Sequence, residues 1–507
     1  MKYDLGIYGN CSQDYITNNE GVTKRVLGGS LIYISLAAKN ITNKKIISIG
    51  KMSVQTKQYL SGYGINILSQ DTTDITFIIN ECKNTCIGKN YDYSSFKVDD
   101  KIYMRFLHIS FRKGIDIEGF LCNPNIKYNA LSIDVAKFSA KKMEKYIRKY
   151  HAKIKILFCD MEEYELIKDS TKDIPLIIVT NKDKYVKIIT PKNLFLCEVI
   201  RKECVTSSTG AGDSFIGGFL GEYIVSQDLT KSLKSAIKCA YYSLDNFGPL
   251  TKVYDDKKFD LLHLFKLPQN IIVLGNSCAG KTTFINHFMN SVGFYTILDD
   301  LRVLQEVFFI EDLLINKKYE EFINYEEKIK YIHEIYYEHK QKLFSPDYYT
   351  TISETGGHNI IRTELWNYIL ELLMKSANQY NIIEFARGTE SKYIKTKRNL
   401  YDEGLEIIVS DISDSDKSLI IYIVADKEKR KQRNWVRYQN SGHYVSDTTM
   451  DNIYAKECFF YDEESNSKKV FDIQIPVLKI INNDDKSNQT WNDIIKEMLI
   501  FYENIKK

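Results

Sequence analysis

Proline and long apolar runs are the features that this sequence has least of. Its 507 residues include only 7 prolines and 25 glycines, and this shortage argues against long disordered or low-complexity segments. No stretch approaches the roughly 18 consecutive apolar residues that indicate a membrane-spanning helix. The opening "MKYDLGIYGN" predicts a strand, because it has neither the apolar core nor the cleavage site of a secretory signal. We therefore expect a cytoplasmic protein without a membrane segment.

Charge and cysteine usage disfavour two further classes of protein. The chain carries 69 basic and 66 acidic residues, for a net charge of +3, and no basic tract marks a surface for nucleic acid. Its 10 cysteines are scattered, and the closest pair, Cys82 and Cys86, has no partner ligands at the spacing of a metal site. We expect reduced thiols, small-molecule substrates as partners, and no nucleic acid.

The order of predicted strands and helices indicates two α/β domains. Short β-branched runs such as "YDLGIYGN" and "KKIISIGKM" alternate with helical stretches such as "SLIYISLAAKN", the pattern of a parallel sheet covered by helices. The pattern restarts at "IIVLGNSCAGKTTFINHF". We predict two doubly wound domains at residues 1–256 and 270–507, joined by a linker at residues 257–269. The two halves share no visible repeat.

A break in this alternation lies between about residues 70 and 110 of the first domain. The stretches "ITFIINECKNTCIGKNYDYSSF" and "KIYMRFLHI" read as strands with no helix between them. We therefore expect a small antiparallel β flap added to the α/β core.

The stretch "VTSSTGAGDSFIGGFLGEYI" places a glycine-rich turn directly before an apolar helix. Backbone N–H groups of Gly210, Ala211 and Gly212 at such a helix start form an anion site, here for the phosphates of ATP. Asp213 would repel phosphate, so we predict that it is a general base that takes the proton of an attacking hydroxyl. A tight turn in which Asp213 only caps the helix is the alternative that the turn by itself leaves open.

Residues 1–255 resemble the ribokinase-like (PfkB) family of sugar and nucleoside kinases. "STGAGD" matches the end of the family's Asp-Thr-x-Gly-Ala-Gly-Asp signature, with Ser207 in place of the first Asp. "GNCSQDYI" and "LGGSLIYISLAA" match its opening loop and its double glycine. The resemblance implies that Asp14 binds acceptor hydroxyls and that Gly28 and Gly29 let backbone approach the substrate.

The same resemblance implies a metal site and an altered acceptor pocket. "CDMEEYELI" aligns with the family's Asn-x-x-Glu motif, which would make Asp160 and Glu163 organise Mg²⁺ and phosphate. Tyr33 stands where the family has a sugar-contacting Asn, which favours a more aromatic acceptor. A homodimer through this half is a further expectation. "VTNKDKYV" lacks the glycines that the family places beside the nucleotide.

The second glycine-rich loop, "GNSCAGKT", fits the P-loop pattern G-x-x-x-x-G-K-[ST] between the strand "NIIVL" and a helix. Lys281 is predicted to reach the β- and γ-phosphates of ATP, and the Thr282 hydroxyl to bind Mg²⁺. The predicted nucleotide-binding residues of this loop are Gly275, Asn276, Ser277, Cys278, Ala279, Gly280, Lys281, Thr282 and Thr283.

Charged residues at later strand ends indicate where an acceptor binds. Asp299 and Asp300 end "FYTILDD", and one of them is predicted to activate an acceptor hydroxyl or to orient Mg²⁺, while the other caps a helix. Glu384 and Arg387 end "NIIEFARG" and are predicted to contact the acceptor, with Arg387 clamping an anionic group.

A basic segment after the strand "SLIIYIVAD" is typical of a lid that closes on phosphates. "DKEKRKQRNWVRYQNSGHYV" carries Arg430, Arg433 and Arg437, and we predict catalytic roles for Arg433 and Arg437. A solvated helix face is the alternative, and His443 is expected to be structural. This half resembles P-loop kinases of small metabolites and nucleotides, including those with a zeta-toxin-like Gly-Gly-His segment, where this chain has Ser441 in place of one glycine.

The two loops together predict a bifunctional ATP-dependent kinase. The first half would phosphorylate a hydroxyl of a sugar or nucleoside-like acceptor, and the second a small anionic metabolite or nucleotide. In the alternative, the first half is a non-catalytic ligand-binding module that regulates a single P-loop kinase. A toxin-like kinase or a switch NTPase is a further alternative for the second half.

Overall fold

A computed structural model provides the structure of the chain. It describes residues 2–113, 115–135, 140–293, 295–299, 349–352, 357–360, 363–387, 399–412, 414–440, 445–452, 454, 458–484 and 486–506. The chain divides into two compact units, residues 1–266 and 267–507. Both combine helices with parallel strands, so the predicted α/β class is confirmed.

The first unit is built on a ten-stranded mixed sheet. Its strands are β1 (Lys2–Tyr8), β4 (Ile46–Met52), β5 (Asn66–Asp71), β8 (Ile102–Ser110), β9 (Ile126–Asp134), β10 (Ile154–Asp160), β11 (Ile177–Asn181), β12 (Tyr185–Ile189), β13 (Leu194–Glu198) and β14 (Leu264–Lys266). The order is β14-β13-β12-β11-β10-β9-β8-β1-β4-β5, parallel from β11 to β5 and antiparallel from β11 to β14.

This order creates a switch point beside β1. The chain runs from β1 to β4 and β5 on one side and returns to β8, β9 and β10 on the other. Loops that leave the carboxyl ends of β1 and β8 therefore diverge and open a crevice, the usual ligand site of such sheets. The residues that follow β1, β8, β9 and β10 are the ones from which a site at this edge is built.

Seven helices accompany this sheet. They are α1 (Ser30–Ile41), α2 (Val54–Gly62), α3 (Ile117–Leu121), α4 (Ala140–Tyr150), α5 (Met161–Ile167), α6 (Ala211–Ser226) and α7 (Leu229–Ser243), all within the described part of this unit. Helix α1 is apolar on every side and buried over most of its length, because it packs between the sheet and α6. Its apolar side chains and those of α6 and α7 form one core with the strands.

A separate four-stranded sheet forms the flap. It consists of β2 (Ser12–Thr17), β3 (Thr23–Gly28), β6 (Ile75–Asn80) and β7 (Thr85–Lys89), in the order β3-β2-β6-β7. The prediction of a flap holds for β6 and β7 but was wrong in two respects. "KIYMRFLHI" is β8, a central strand of the main sheet, and β2 pairs with β6 in parallel, so the flap is a mixed sheet.

The second unit contains a six-stranded sheet. Its strands are β15 (Asn270–Leu274), β16 (Thr296–Asp299), β19 (Asn381–Phe385), β20 (Ser418–Val424), β21 (Ser467–Val470) and β22 (Ile473–Ile481). The order is β16-β19-β15-β20-β22-β21, and only the pair of β21 and β22 is antiparallel. A second switch point therefore lies at the carboxyl end of β15, between β19 and β20.

The helices described in this unit follow the same alternation. They are α8 (Lys281–Ser291), α9 (Thr363–Met374), α10 (Leu400–Asp411), α11 (Lys427–Gln439), α12 (Asp447–Asn452) and α13 (Asn488–Lys506). A two-stranded sheet joins β17 (Tyr349–Ile352) to β18 (Gly357–Ile360). The core lies between the sheet and α9 and α10, where Leu370, Phe385 and Leu405 are fully buried.

The predicted linker at residues 257–269 is largely ordered structure. A 3₁₀ helix spans Lys257–Leu261, and β14 extends the first sheet beside β13. The first unit accordingly ends at residue 266, ten residues beyond the predicted boundary at residue 256. Among the helices that the structure describes, none combines the length and apolar character needed to cross a membrane.

Candidate functional site

The first candidate site is centred on Asp213, in the first turn of α6. Gly210 caps this helix with a left-handed φ of 81°. A Cβ atom at this position would lie 2.2 Å from Cε1 of Tyr33, so only glycine fits the turn. The predicted glycine-rich turn therefore lies at a helix N-terminus, with Gly210, Ala211 and Gly212 directly before Asp213.

Arg112, which follows β8, joins Asp213 to a second carboxylate. Its Nη2 donates to Oδ1 of Asp213 over 3.2 Å, and its Nη1 lies 2.5 Å from Oδ2 of Asp134, at the end of β9. Asp134 is buried and also accepts from Ser110 and from the backbone N–H of Phe111. One guanidinium thus fixes the orientation of both carboxylates at the carboxyl edge of the sheet.

The pKa values of this group suit proton transfer near neutral pH. Burial raises the pKa of Asp213 to about 6, although the neighbouring charge of Arg112 acts in the opposite direction. Burial alone would lower the pKa of Arg112, but the charges of Asp134 and Asp213 raise it above its ordinary value, so Arg112 stays protonated. Asp213 can accordingly exchange a proton at physiological pH, as a general base must.

Asp14 and Tyr33 supply polar groups beside this base. Asp14 lies on β2, is 2% exposed, and accepts from Ser12 Oγ over 2.6 Å. Burial raises its pKa to about 6. The Tyr33 hydroxyl is buried without a hydrogen-bond partner in the described part of the chain, and burial together with the charges of Asp14 and Asp213 raises its pKa. These groups can bind a hydroxylated acceptor.

Gly28 and Gly29, the predicted double glycine, border Asp14. A Cβ atom on Gly28 would lie 1.9 Å from Oδ2 of Asp14, and one on Gly29 would lie 2.5 Å from the carbonyl oxygen of Asn10. The structure therefore brings together the residues predicted for acceptor binding in the first half. Only glycine at positions 28 and 29 leaves room for Asp14 and for the chain after β1.

Asp160 and Glu163, the predicted metal ligands, form a capping box at the start of α5. Asp160 Oδ1 accepts from the N–H of Glu163 over 2.7 Å, and Glu163 Oε2 accepts from the N–H of Asp160 over 2.8 Å. Burial raises the pKa of Glu163 to about 7. Among the described residues, no group of three or more His, Cys, Asp or Glu side chains is arranged to hold a metal ion.

Glu81, at the tip of the flap between β6 and β7, was not predicted from the sequence. Its Oε1 accepts five hydrogen bonds, from the hydroxyls of Ser207, Ser208 and Thr209 and from the N–H groups of Ser208 and Thr209. Burial acts to raise the pKa of Glu81, but these donors lower it below its ordinary value. A carboxylate of the flap thus occupies the donors directly before the Gly210 turn.

The second candidate site is the Gly275–Gly280 loop, which joins β15 to α8. Gly275, Cys278 and Gly280 all have positive φ angles, of 149°, 63° and 107°. A Cβ atom on Gly280 would lie 2.3 Å from Nδ2 of Asn482, which also donates to the carbonyl of Ala279 over 2.8 Å. Asn482 follows β22, so the end of that strand holds the loop in place.

Lys281, Thr282 and Glu384 meet beneath this loop. Lys281 is buried, and its Nζ donates to the carbonyl oxygen of Gly275 over 3.1 Å and lies 3.9 Å from Oε1 of Glu384. The Thr282 hydroxyl donates to Oε1 of Glu384 over 3.1 Å. Glu384, predicted to contact the acceptor, therefore lies against the residues predicted to bind phosphate and Mg²⁺.

Two other predicted site residues, Asp299 and Arg387, lie near Glu384 and have different contacts. Asp299 pairs in register with Glu384 at the ends of the neighbouring strands β16 and β19. Arg387 is buried, donates to the carbonyl of Ala386 over 2.9 Å, and lies over the ring of Trp366 at 4.7 Å. Asp300 lies outside the described residues.

The predicted lid arginines lie on α11. Arg433 donates to the carbonyls of Ala279 and Asp484, over 3.4 Å and 3.3 Å, and so contacts the Gly275–Gly280 loop. Arg437 donates to Oδ1 of Asn434 over 3.1 Å. Ser441 and His443 of the lid segment lie outside the described residues.

Comparison with known proteins supports part of the family resemblance predicted for the first half. Residues 136–254 match the pfkB family of carbohydrate kinases. The resemblance predicted for the first half is thus confirmed over these residues, which contain Asp160, Glu163 and Asp213. No curated protein matches the chain.

Solved structures of kinases overlay on about half of the chain. A nucleoside kinase from Methanocaldococcus jannaschii is 19% identical, with a TM-score of 0.41, and the match covers 51% of this chain and 97% of that one. A fructokinase from Vibrio cholerae O395, solved with fructose, ADP and calcium, is 14% identical, with a TM-score of 0.41, covering 51% and 98%. An adenosine kinase from Sinorhizobium meliloti is 15% identical, with a TM-score of 0.40, covering 49% and 96%.

Glu81 provides a test of the contact between the flap and residues 207–209. Glu81→Gln should speed hydrogen exchange at the N–H groups of Ser208 and Thr209, because a neutral amide accepts more weakly than a carboxylate. A group with a lowered native pKa stabilises the fold above its unfolded value, near 4, and loses that effect as pH falls through the native value. The difference in hydrogen exchange between wild type and Glu81→Gln, measured at equal pH, should therefore become smaller as the pH falls.

The matched control is Glu20→Gln, which removes a carboxylate from an exposed turn of the same flap. It should leave exchange at residues 207–209 unchanged. Equal exchange in wild type and Glu81→Gln at neutral pH would show that the contact does not form in solution.

Proposed function

We propose that the chain is a bifunctional ATP-dependent kinase, with one phosphoryl-transfer site in each unit. The first unit would phosphorylate a hydroxyl of a sugar or nucleoside-like acceptor, and the second a small anionic metabolite or nucleotide. The observation that carries the first assignment is Asp213 at a helix N-terminus, with its pKa raised to about 6 and its carboxylate held by Arg112.

The first reaction follows from this arrangement. Asp213 takes the proton of the acceptor hydroxyl, and the freed oxygen attacks the γ-phosphorus of ATP, from which ADP leaves. The N–H groups at Gly210, Ala211 and Gly212 stabilise the negative charge on the transferring phosphoryl group. Asp14 and the Tyr33 hydroxyl hold the acceptor, and the ring of Tyr33 favours an acceptor with an aromatic portion.

The second assignment rests on the meeting of Lys281, Thr282 and Glu384 beneath a glycine-rich loop. We propose that this is a P-loop, in which Lys281 binds the β- and γ-phosphates of ATP. A hydroxyl and a carboxylate are the oxygen donors that Mg²⁺ takes, so Thr282 and Glu384 fit this ion, which would neutralise phosphate charge there. Asp299 is the proposed base, and Arg433 and Arg437 would close on the phosphates.

Magnesium in the first unit is proposed at Glu163 and Asp160. Their oxygens are hard donors, and the Glu163 carboxylate is partly buried, so a nearby cation would favour its charged form. A homodimer through this unit is also proposed, since the flap exposes the apolar side chains of Tyr15, Ile78 and Ile87.

One observation favours a second candidate function, a first unit that binds a ligand without catalysis. Strands β11 and β12 join in a tight hairpin, and Lys182, with a φ of 49°, stands in its turn where the glycines of a nucleotide-binding strand end would be expected. In that case the first unit would bind a ligand and regulate the second unit, which alone would transfer phosphate.

Asp213→Asn separates these two functions. If Asp213 is the base, the variant should lose about 10²–10⁴-fold in turnover while retaining acceptor binding, since the amide keeps the shape but takes no proton. Wild-type turnover should fall as pH drops below about 6, because the base becomes protonated. ATP-dependent phosphorylation of a panel of pentoses, hexoses and nucleosides measures both effects. Wild-type turnover by the variant would exclude Asp213 as the base.

Lys281→Ala tests whether the second unit acts independently. The variant should lose phosphorylation of anionic metabolites, because the charge that reaches the β- and γ-phosphates is removed. Phosphorylation of sugars or nucleosides should continue at the wild-type rate, as measured with labelled ATP on the full-length protein. Loss of both activities in Lys281→Ala would contradict two separate sites.

A further inference from the structure

Both turns at one end of the flap are bonded to the segment that leads into α6. Strands β2 and β6 pair in parallel, so the turns that follow them lie at the same end of the flap. The side chain of Asn18, after β2, is buried, and its Nδ2 donates to the carbonyl of Thr206 over 3.0 Å. Glu81, after β6, accepts from residues 207–209. This end of the flap is therefore fixed to residues 206–209.

Glu81 Oε1 receives more hydrogen bonds than one carboxylate oxygen has lone pairs. Five donors of residues 207–209 lie 2.8 to 3.2 Å from it, whereas such an oxygen offers about two lone pairs. Hydrogen bonds to an ionised acceptor are about twice as strong as those between neutral groups. The loss of one hydroxyl would therefore leave the contact in place, and a change of charge is needed to break it.

Glu81 is connected to the Gly210 turn through Ser208. The N–H of Ser208 donates to Glu81 over 2.8 Å, and the carbonyl of Ser208 accepts from the N–H of Ala211 over 3.2 Å. Ala211 is the first residue of α6. The flap carboxylate therefore helps to fix the direction of the first N–H groups of this helix, directly before Asp213.

The same flap carries Asp14, on the strand β2 that leads to Asn18. Burial is the main cause of the raised pKa of Asp14, and the nearby charge of Asp213 adds to it. Two ionised carboxylates repel each other, and this repulsion favours separation of the flap from α6. The hydrogen bonds of Glu81 act against that separation, because they join the flap to residues 207–209.

We propose that Glu81 is a latch that holds the flap over the acceptor pocket and positions the Gly210 turn. Asp14 on the flap and Asp213 on α6 then face the same acceptor. In the proposed reaction Glu81 acts through the turn and not on the reacting atoms, so it is a positioning residue. The latch rests on the contacts of Glu81 alone, whereas its effect on acceptor and nucleotide rests on the function proposed for the first unit.

Hydrogen exchange of the full-length protein tests the latch without any ligand. Ser207→Asp places a second carboxylate against Glu81 at a position that is 1% exposed, where repulsion between like charges is weakly screened. Exchange should rise about 10-fold or more at two N–H groups, that of Val22, which donates to Asn18 Oδ1, and that of Ala211. These groups lie on the flap and on α6, so the latch predicts that both respond.

Glu81→Gln in the same protein provides the rescue. An amide donates a hydrogen bond to the new carboxylate of Ser207→Asp, whereas Glu81 repels it. The double variant should therefore return both exchange rates to within about threefold of wild type. The matched control is Ser207→Asp with Glu20→Gln, which removes a carboxylate from the same flap outside the latch and should not restore the rates.

The proposal is overturned if Ser207→Asp exchanges at the wild-type rate, if the double variant exchanges as fast as Ser207→Asp, or if Glu20→Gln restores the rates equally. Should Ser207→Asp fail to fold, Glu81→Gln alone decides the question. Its exchange rates at Val22 and Ala211 should then rise together, and a rise at only one of them, or at neither, contradicts the latch.

A non-hydrolysable ATP analogue, adenylyl imidodiphosphate, tests the positioning role. In the Lys281→Ala background it reports on the first unit, where Glu81→Gln should weaken its binding about 3- to 30-fold and added Ser207→Asp should restore it. Faster exchange at Ala211 with unchanged affinity would show that Glu81 does not position the turn. If Lys281→Ala binds no analogue, the nucleotide site proposed for the first unit and the positioning role both fail, while the exchange rates still decide whether the latch exists.

Discussion

The guanidinium of Arg112 lies between two carboxylates, Asp134 and Asp213, at the edge of the sheet where the strands of the first unit end. Burial would raise the pKa of Asp134, but the charge of Arg112 and a hydrogen bond from His108 lower it, so Asp134 stays ionised. Burial raises the pKa of Asp213 to about 6, although the charge of Arg112 acts to lower it. Breaking such a pair from one side costs about 3–5 kcal/mol when it is buried. The position of the proposed base therefore depends on these three charged side chains.

Each unit needs a positive site for phosphate and a carboxylate near it, and the two units would use different residues for these roles. In the first, the proposed anion site is a helix N-terminus, and the proposed base is the acid next to it. In the second, the helix begins with Lys281, a buried cation held by carbonyls of the loop and near Glu384, and an acid must come from a neighbouring strand. Both place their charges after parallel strands at a switch point, where backbone geometry opens a crevice.

Local features were predictable because they depend on local chemistry. The strand β15, the glycine-capped starts of α6 and α8, and the buried helix α1 follow from apolar runs and glycine spacing. Features that depend on long-range contacts were not predictable from the sequence. Glu81 reaches Thr209 across 128 positions of sequence, and Arg112 reaches Asp213 across 101, and no periodicity encodes such a pair.

In two places one sequence pattern is compatible with two different structures. Acids three residues apart at Asp160 and Glu163 match a metal-binding motif, and the same spacing forms a capping box. β8 follows the flap strands without a helix and reads as one of them, but its apolar residues on both faces place it in the centre of the main sheet. The capping box forms within one turn of a helix, whereas the pairing of β8 with β1 and β9 is a tertiary contact.

The central claim is that one chain carries two separate nucleotide sites. Calorimetric titration of the full-length protein with adenylyl imidodiphosphate and Mg²⁺ counts those sites without knowledge of either acceptor. The account predicts two bound nucleotides per chain, and one in Lys281→Ala. A single site in the wild-type protein, or none in the variant, would contradict it.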